Sequence, residues 1–132
     1  MSRSILIVDD SDIVRSIIRA YLENKGYTVC GEAENGLEAI EKATELKPDL
    51  IVLDLAMPKL NGAEAASVLK AIMPRVPIVL FTMYEEFMSH SLATAVGVDV
   101  IASKPDGIGK LVECVQNLLG SQTHTAIGSP NV

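Results

Sequence analysis

Three carboxylates, one hydroxyl and one ammonium stand at the ends of short apolar segments of this 132-residue chain. The pair Asp9-Asp10 follows the first segment, and Asp54 follows the third. Thr82 closes the fourth segment, and Lys104 comes shortly after the fifth. Ligands of open parallel sheets bind beyond the carboxyl ends of the strands, so we expect these five groups to share one edge of a sheet.

The chemistry that suits this set is phosphoryl transfer assisted by a divalent cation. Close carboxylates repel one another, and their pKa values rise unless a cation relieves the repulsion. Mg²⁺ prefers carboxylate, water and phosphate oxygens. Asp54 could then attack a phosphoryl group as a nucleophile. Lys104 would neutralise charge on the phosphoryl oxygens, and Thr82 would donate a hydrogen bond to one of them.

Each member of the set also has a simpler interpretation. An Asp after a strand commonly caps a helix or a turn. Lys104-Pro105 reads as a surface turn, and a Thr at a strand end needs no function. Because all five groups fall at the same end of successive strands, the set is more specific than any single member.

The elements that would position these groups alternate along the chain. Five apolar, β-branched-rich segments predict strands over residues 5–8, 27–30, 50–53, 78–81 and 98–101. The second and fifth are more mixed, and we expect them nearer an edge. Five segments of helical period follow them, near residues 13–21, 37–44, 63–72, 85–96 and 108–119. This alternation predicts an α/β fold, a (βα)5 doubly wound three-layer sandwich with a five-stranded parallel sheet.

Three helical segments have apolar residues that share a face. The first contains Ile13, Ile17, Ala20 and Tyr21. The second contains Leu37, Ile40, Ala43 and Thr44. The last has the strongest stripe, made of Ile108, Leu111, Val112, Val115, Leu118 and Leu119.

Composition narrows the class of protein. Hydrophobic residues make up 48% of the chain and aromatic residues 4%, which predicts an aliphatic core. A net charge of −6 argues against direct nucleic-acid binding by this segment. Cys30 and Cys114 have no metal-binding spacing and suit a reducing cytoplasm. With no signal peptide and no membrane-length apolar run, we expect a cytoplasmic location and no membrane contact.

The chain divides into one domain and a tail. Residues 1–120 carry all the periodic segments, and we predict that they form a single domain. Residues 121–132 are small, polar and aperiodic, which predicts a disordered tail or a truncated linker.

These motifs together resemble the receiver domain of bacterial two-component response regulators. The matching segments are residues 5–10, residues 48–58, Asn61-Gly62, residues 77–82 and Ser103-Lys104-Pro105. The resemblance covers about residues 4–119. It implies a flavodoxin-like sheet of strand order 2-1-3-4-5.

The resemblance also implies roles for the site residues. Asp54 corresponds to the residue that accepts the phosphoryl group. Asp9 and Asp10 correspond to Mg²⁺ ligands, with Asp54 and the backbone carbonyl of Ala56 completing the protein's contribution.

The remaining matched positions would act around the phosphoryl group. Thr82 corresponds to the switch hydroxyl and Lys104 to the motif lysine. The Lys104-Pro105 bond would be cis, as is typical of the family, and would aim the ammonium. Gly62 corresponds to a loop glycine that permits a backbone geometry other residues resist.

One position departs from the family pattern. Receivers often carry Tyr or Phe three residues before the lysine, where the ring rotates inward with the switch hydroxyl. Ile101 occupies that position and cannot make the same movement. Tyr84 is a candidate substitute that could control access to the phosphoryl group, or it could be an ordinary loop tyrosine.

The functional hypothesis is a phosphorylation-dependent switch. A sensor histidine kinase or phosphotransfer protein would phosphorylate Asp54, and the altered surface would bind a second copy or an effector domain. The chain would catalyse only its own phosphorylation and dephosphorylation.

The alternatives are an aspartate-nucleophile phosphatase, a receiver-like module that only binds partners, and a flavin-binding protein. The phosphatase would need a second Asp two residues after its nucleophile, and Asp9-Asp10 are adjacent. The flavin protein would need a phosphate-cradling loop where these acids stand. The output stays open between a stand-alone receiver and the first part of a DNA-binding regulator.

Overall fold

The computed structural model describes residues 2–83, 93 and 95–120. The strands are β1 (Ser4–Val8), β2 (Thr28–Ala33), β3 (Leu50–Leu53), β4 (Ile78–Thr82) and β5 (Val100–Ser103). The helices are α1 (Asp12–Asn24), α2 (Gly36–Leu46), α3 (Gly62–Ile72) and α4 (Ile108–Leu119), with a short 3-10 helix at Lys104–Asp106. All four strand pairs are parallel, in the order β2-β1-β3-β4-β5. The predicted sandwich and strand order are confirmed.

The two edge strands differ from their predicted bounds. Strand β2 extends to Ala33, and β5 begins at Val100 and includes Ser103. The Val98 N–H donates to the Ala93 carbonyl, and the Asp99 carboxylate accepts from the Ile78 N–H. Val98 and Asp99 lie in the segment between Gly97 and β5, and the strand begins after them. Both strands lie at edges, as their mixed composition predicted.

Part of the prediction falls on residues that the structure does not describe. Of the helix predicted over residues 85–96, Ala93, Ala95 and Val96 are helical. The other members of that segment, and the tail at 121–132, lie outside the described residues.

Two apolar cores lie on opposite faces of the sheet. Ile5 and Ile7 of β1 belong to the core that α1 and α4 cover. Leu6 and Val8 belong to the core that α2 and α3 cover. Successive side chains of a strand point to opposite faces, so a strand buried on both faces must be apolar at every position.

The apolar face predicted for α1 is not the buried one. Ile13, Ile17 and Tyr21 are 73%, 46% and 49% exposed. The core instead receives the stripe one position later, made of Val14, Ile18 and Leu22. Helix α1 carries two adjacent apolar stripes, and the periodic pattern alone does not say which of them the sheet covers. We name the exposed stripe of Ile13, Ile17 and Tyr21 the α1 stripe.

The other two helical faces have different outcomes. In α2, the prediction was wrong for Leu37 and Thr44, which are exposed, while Ala39 and Ala43 pack on the sheet. Small alanines bring α2 close to the sheet and leave the larger side chain outside. The stripe predicted for α4 is confirmed, since its members are buried in or packed against the core. None of the helices in the described ranges has the length and hydrophobicity that crossing a bilayer requires.

Candidate functional site

The pairing of β1 with β3 brings two of the acids together. Val8 lies opposite Leu53 in this parallel pair, and the Asp54 N–H donates to the Val8 carbonyl at 3.0 Å. Asp9 follows Val8 directly, so Asp9 and Asp54 leave the sheet at the same edge. Carboxylate oxygens of Asp9, Asp10 and Asp54 all lie within 4.8 Å of one another.

The ammonium of Lys104 reaches into this acidic cluster from the end of β5. Its Nζ donates to Asp9 Oδ2 at 2.7 Å and lies 3.6 Å from Asp54 Oδ2. The side chains of Asp9 and Asp54 are 3% and 6% exposed, whereas Asp10 is an exposed residue. One positive charge therefore faces two buried carboxylates, with a third at the solvent side.

Asp54 is left without full compensation. Its Oδ1 is buried and accepts no hydrogen bond from any described residue. Burial raises the pKa of Asp54 to about 6, Lys104 partly offsets this rise, and the charges of Asp9 and Asp10 add to it. A buried acceptor without a donor is costly, which makes this oxygen a candidate for binding a ligand.

The donor set fits a hard divalent cation. The cluster offers carboxylate oxygens and no sulfur or imidazole, which suits Mg²⁺ more than the transition metals. Ala56 lies in the exposed bend two residues after Asp54, and its side chain adds nothing to the chemistry. A cation among these oxygens would relieve the repulsion that raises the pKa of Asp54.

The hydroxyl and the switch positions lie on the two strands beyond β3. Thr82 is fully buried and ends β4 opposite Ser103 of β5. The Lys104 ammonium passes over the Phe81 ring at 6.0 Å from its centroid. Ile101 packs against the core on the α2–α3 face. Tyr84 lies outside the described residues.

Gly62 is required for space and not for an unusual backbone angle. Its φ is not in the left-handed region, so the predicted reason for this glycine was wrong. A Cβ there would stand 2.1 Å from the Asp54 carbonyl oxygen. The Gly62 N–H donates to the Leu55 carbonyl at 2.8 Å. Gly62 thus lets the start of α3 pack directly against the backbone that carries Asp54.

The same arrangement occurs once more at the start of α2. Both helices begin with Asn-Gly-x-Glu, and the side chains of Asn35 and Asn61 accept from the N–H groups of Glu38 and Glu64. A Cβ on Gly36 would stand 2.2 Å from the Leu60 carbonyl oxygen, to which the Gly36 N–H donates at 3.1 Å. Two helix starts therefore hold the β3–α3 loop between them.

The Lys104–Pro105 bond is trans, and the expectation of a cis bond was wrong. Pro105 lies in the first turn of the 3-10 helix. A proline fits the start of a helix because its fixed φ matches and its missing N–H has no intrahelical partner there. In this structure the ammonium reaches Asp9 without a cis turn.

Sequence reasoning missed a second charged cluster beside the first. Arg15 Nη1 donates to the Asp9 carbonyl at 2.6 Å, and Arg15 Nε donates to Glu32 Oε1 at 2.9 Å. Arg19 Nε donates to the other oxygen of Glu32 at 2.7 Å. Burial alone would raise the pKa of Glu32, but the hydrogen bonds from Arg19 and Arg15 outweigh it and hold that pKa below its usual value.

A sequence signal for Arg15 does exist. Long side chains of a helix point back toward its N-terminus. An arginine in the first turn of α1 is thereby directed at the end of β1, where Asp9 stands.

Comparison with known proteins agrees with this geometry. The family model "Response regulator receiver domain" matches residues 5–116. Chemotaxis protein CheY of Thermotoga maritima is 33% identical over 118 residues, covering 89% of this chain and 98% of that protein. Response regulator protein VraR of Staphylococcus saprophyticus is 36% identical over 124 residues, covering 93% of this chain and 59% of that protein.

A solved structure extends the likeness to the fold. Response regulator protein TrrA of Thermotoga maritima, in complex with Mg²⁺ and BeF, superposes with a TM-score of 0.81 at 32% identity, covering 89% of this chain and 99% of that one. The sheet order, the acidic edge and these relatives lead to one assignment. The chain belongs to the response regulator receiver domain family of two-component signalling.

Proposed function

We propose that this chain is a phosphorylation-dependent signalling switch in which Asp54 accepts the phosphoryl group. The observation that carries the proposal is the buried Asp54 Oδ1, which accepts no hydrogen bond from the described residues. A structural carboxylate at this depth would have a donor for each oxygen. An oxygen reserved for a bond to phosphorus or to a cation would not.

Mg²⁺ would be held by Asp9, Asp10 and Asp54 together with the backbone carbonyl of Ala56. The mutual approach of the three carboxylates to within 4.8 Å supports this assignment. The TrrA relative has been solved with Mg²⁺ and BeF, which supports it independently. When bound, Mg²⁺ supplies positive charge against the carboxylates and against the oxygens of the phosphoryl group.

The reaction is the transfer of a phosphoryl group from a phosphohistidine to Asp54. A carboxylate oxygen of Asp54 forms a bond to phosphorus while the phosphorus–nitrogen bond breaks, and the histidine nitrogen keeps the electron pair. Lys104 Nζ, 3.6 Å from Asp54 Oδ2, would neutralise charge on the phosphoryl oxygens. Thr82 would donate its hydroxyl hydrogen to one of them. We expect no turnover of an external substrate.

Mass spectrometry after incubation with acetyl phosphate and Mg²⁺ tests the assignment. We expect the wild-type chain to gain the mass of one phosphoryl group and Asp54→Asn to gain none. Asp106→Asn, which alters an exposed acid on the 3-10 helix, should gain it like the wild type. A mass gain that survives Asp54→Asn would refute the role of Asp54. No gain by the wild type would favour a receiver-like module that only binds partners.

The phosphodonor would be a sensor histidine kinase or a phosphotransfer protein that contacts the α1 stripe. This stripe starts three residues after Asp10, in the helix that directly follows the acidic edge. Its apolar side chains are 46–73% exposed, which suits burial against a partner helix.

Kinetics separate this contact from the chemistry. For the histidine kinase that phosphorylates the wild type fastest, Ile13→Ser with Ile17→Ser should slow the transfer about 10-fold or more, the loss of two buried apolar contacts. Phosphorylation by acetyl phosphate should stay unchanged. Equal slowing with both donors would place the defect in the site and not in docking.

The output would act through the surface around β4 and β5. Attraction of the Thr82 hydroxyl to the phosphoryl group would shift the end of β4, and Ile101 would respond by repacking in place of an aromatic rotation. The altered surface would bind a second copy or an effector domain. The relatives leave both outputs open, since this chain spans 59% of the VraR relative and 98% of the CheY relative.

A further inference from the structure

Arg15 joins the end of β1 to β2, and none of the chemistry above uses it. Its side chain is 12% exposed, and its guanidinium has three acceptors: the Asp9 carbonyl at 2.6 Å, Glu32 Oε1 at 2.9 Å and the Asp12 carboxylate. A nearly buried arginine that donates a hydrogen bond to a backbone carbonyl beside the acidic cluster does more than form an ion pair at the surface.

Asp9 is fixed at every polar atom of its side chain and backbone. Its Oδ1 accepts from the Ser11 N–H at 2.9 Å and its Oδ2 accepts from Lys104 at 2.7 Å. Its own N–H donates to the Ala33 carbonyl at 3.0 Å. Arg15 supplies the remaining contact, to the carbonyl. That carbonyl belongs to the peptide plane that joins Asp9 to Asp10.

Asp10 has no comparable restraint on its side chain. It is exposed, and no hydrogen bond or ion pair of its carboxylate is recorded among the described residues. The direction in which it leaves the chain is therefore set by the peptide plane before it. A rotation of that plane would move the Asp10 carboxylate away from Asp9 and Asp54.

Arg15 is itself held in place. Glu32 accepts from Arg15 with one oxygen and from Arg19 with the other, at 2.9 and 2.7 Å. This shared carboxylate lies on β2 and fixes the angle of the Arg15 fork. The Arg15 guanidinium is thus held between α1 and β2, and among the described residues of the acidic cluster it contacts the Asp9 carbonyl alone.

We propose that Arg15 is a positioning residue for Mg²⁺ binding, which fixes the peptide plane between Asp9 and Asp10 and so aims both acids at the cation. This inference rests on the proposed Mg²⁺ site. It adds a residue that does not touch the cation or the phosphoryl group.

The sign of the effect separates positioning from simple electrostatics. Arg15 is positive and lies beside a cation site, so its charge alone weakens Mg²⁺ binding. If Arg15 acted only as a charge, Arg15→Gln would strengthen Mg²⁺ binding. If Arg15 positions the acids, the same variant weakens it. Arg15→Lys keeps the charge and removes the fork, so it isolates the geometric part.

Calorimetric titration of the purified chain with MgCl₂ tests the inference, with the unfolding midpoint in EDTA measured in parallel. We expect Arg15→Gln and Arg15→Lys to bind Mg²⁺ about 10-fold more weakly than the wild type, as for other residues that orient metal ligands. Arg19→Gln is the matched control, because the hydrogen bonds of the Arg19 side chain that the structure describes go to Glu32 and Glu23 and not to Asp9. It should leave Mg²⁺ affinity within about 2-fold of the wild type, because Glu32 keeps its hydrogen bond to Arg15.

Each outcome decides the matter. Weaker Mg²⁺ binding by both Arg15 variants, with Arg19→Gln unchanged, supports the positioning role. Unchanged or tighter binding by Arg15→Gln overturns it, and so does an equal loss in Arg19→Gln. If Arg15→Gln does not fold, Arg15→Lys alone decides by the same criterion. Absence of Mg²⁺ binding by the wild type would instead refute the proposed site, and this inference with it.

Discussion

Asp54 and Glu32 stand near the carboxyl ends of the two strands that flank β1, and their charges are compensated to very different degrees. Glu32 is 28% exposed at its side chain and receives a guanidinium on each oxygen. Asp54 is 6% exposed and has one ammonium at 3.6 Å, which it shares with Asp9. The pKa of Glu32 lies below its usual value, and that of Asp54 is raised to about 6.

The difference separates a structural acid from the acid that we propose to be reactive. Both carboxylate oxygens of Glu32 accept hydrogen bonds from arginines of the same chain, so Glu32 does not need an external ligand. Lys104 and the backbone of Leu55 lower the pKa of Asp54, but they do not offset its burial, and Oδ1 accepts no hydrogen bond from the described residues. An acid site that is poorly compensated by its own chain, beside one that is fully compensated, indicates where an external group is to bind.

The largest expected effect concerns the backbone that forces Asp54 into this environment. Gly62→Ala should lower the free energy of unfolding by about 3 kcal/mol, because a Cβ 2.1 Å from the Asp54 carbonyl oxygen must displace backbone. Gly109→Ala, where a Cβ meets nothing within 4 Å, should be neutral or stabilising. Urea denaturation of both variants measures the difference. Equal stability of the two would contradict the close contact at Gly62.

Removing the charge of Asp54 should stabilise the chain. In EDTA at neutral pH, Asp54→Asn is expected to raise the free energy of unfolding by about 2 kcal/mol, because a raised carboxyl pKa measures the cost of ionising the folded state. Thermal and urea unfolding give the value. A loss of stability would mean that Lys104 compensates Asp54 fully.

The pH dependence of that gain follows from the sign of the shift. Below pH about 4, Asp54 is protonated in the folded and unfolded chain, and the two proteins should be equally stable. Between pH about 4 and pH about 6, Asp54 is ionised in the unfolded chain but still protonated in the folded chain. The wild type therefore loses stability relative to Asp54→Asn as the pH rises through this window. Above that window the difference should be constant. Urea unfolding at a series of pH values measures this profile, and a gain that shrank with rising pH would reverse the assigned shift.

Glu32→Gln should have the opposite and smaller effect. We expect the free energy of unfolding to fall by about 1.5 kcal/mol at neutral pH, because two guanidinium groups lose their charged acceptor. The effect is moderate because the Glu32 side chain is partly in contact with water. The contribution of Glu32 is complete above the carboxyl pKa of the unfolded chain and is lost as pH falls through its lowered folded value. A neutral or stabilising result would remove the contrast with Asp54.

The sequence predicts the position of Asp54 better than the interactions of Glu32. Asp9, Asp10 and Asp54 follow apolar strands directly, and parallel pairing is enough to place them at one edge. Arg15 and Glu32 lie on different elements, and their contact depends on how α1 is rotated on the sheet. The predicted rotation of α1 was wrong as well, because α1 has two apolar stripes and the structure buries the stripe of Val14, Ile18 and Leu22.

The reasons for two matched loop residues also lay beyond the sequence. Gly62 is needed because of the distance from α3 to the Asp54 backbone, and that distance is set by packing between elements. Pro105 lies in the first turn of a 3-10 helix, and the bond before it is trans. In both cases the residue type was predicted as important and its physical role was not.

The paired Asn-Gly helix starts have a consequence for the chemical ageing of the protein. An Asn-Gly step deamidates when the glycine nitrogen attacks the asparagine side chain. Here the N–H groups of Gly36 and Gly62 are held by the Leu60 and Leu55 carbonyls at 3.1 and 2.8 Å. The asparagine amides also cap their helices. Deamidation at residues 35 and 61 must therefore wait for local opening of the β3–α3 loop, and its rate would record how often that loop opens.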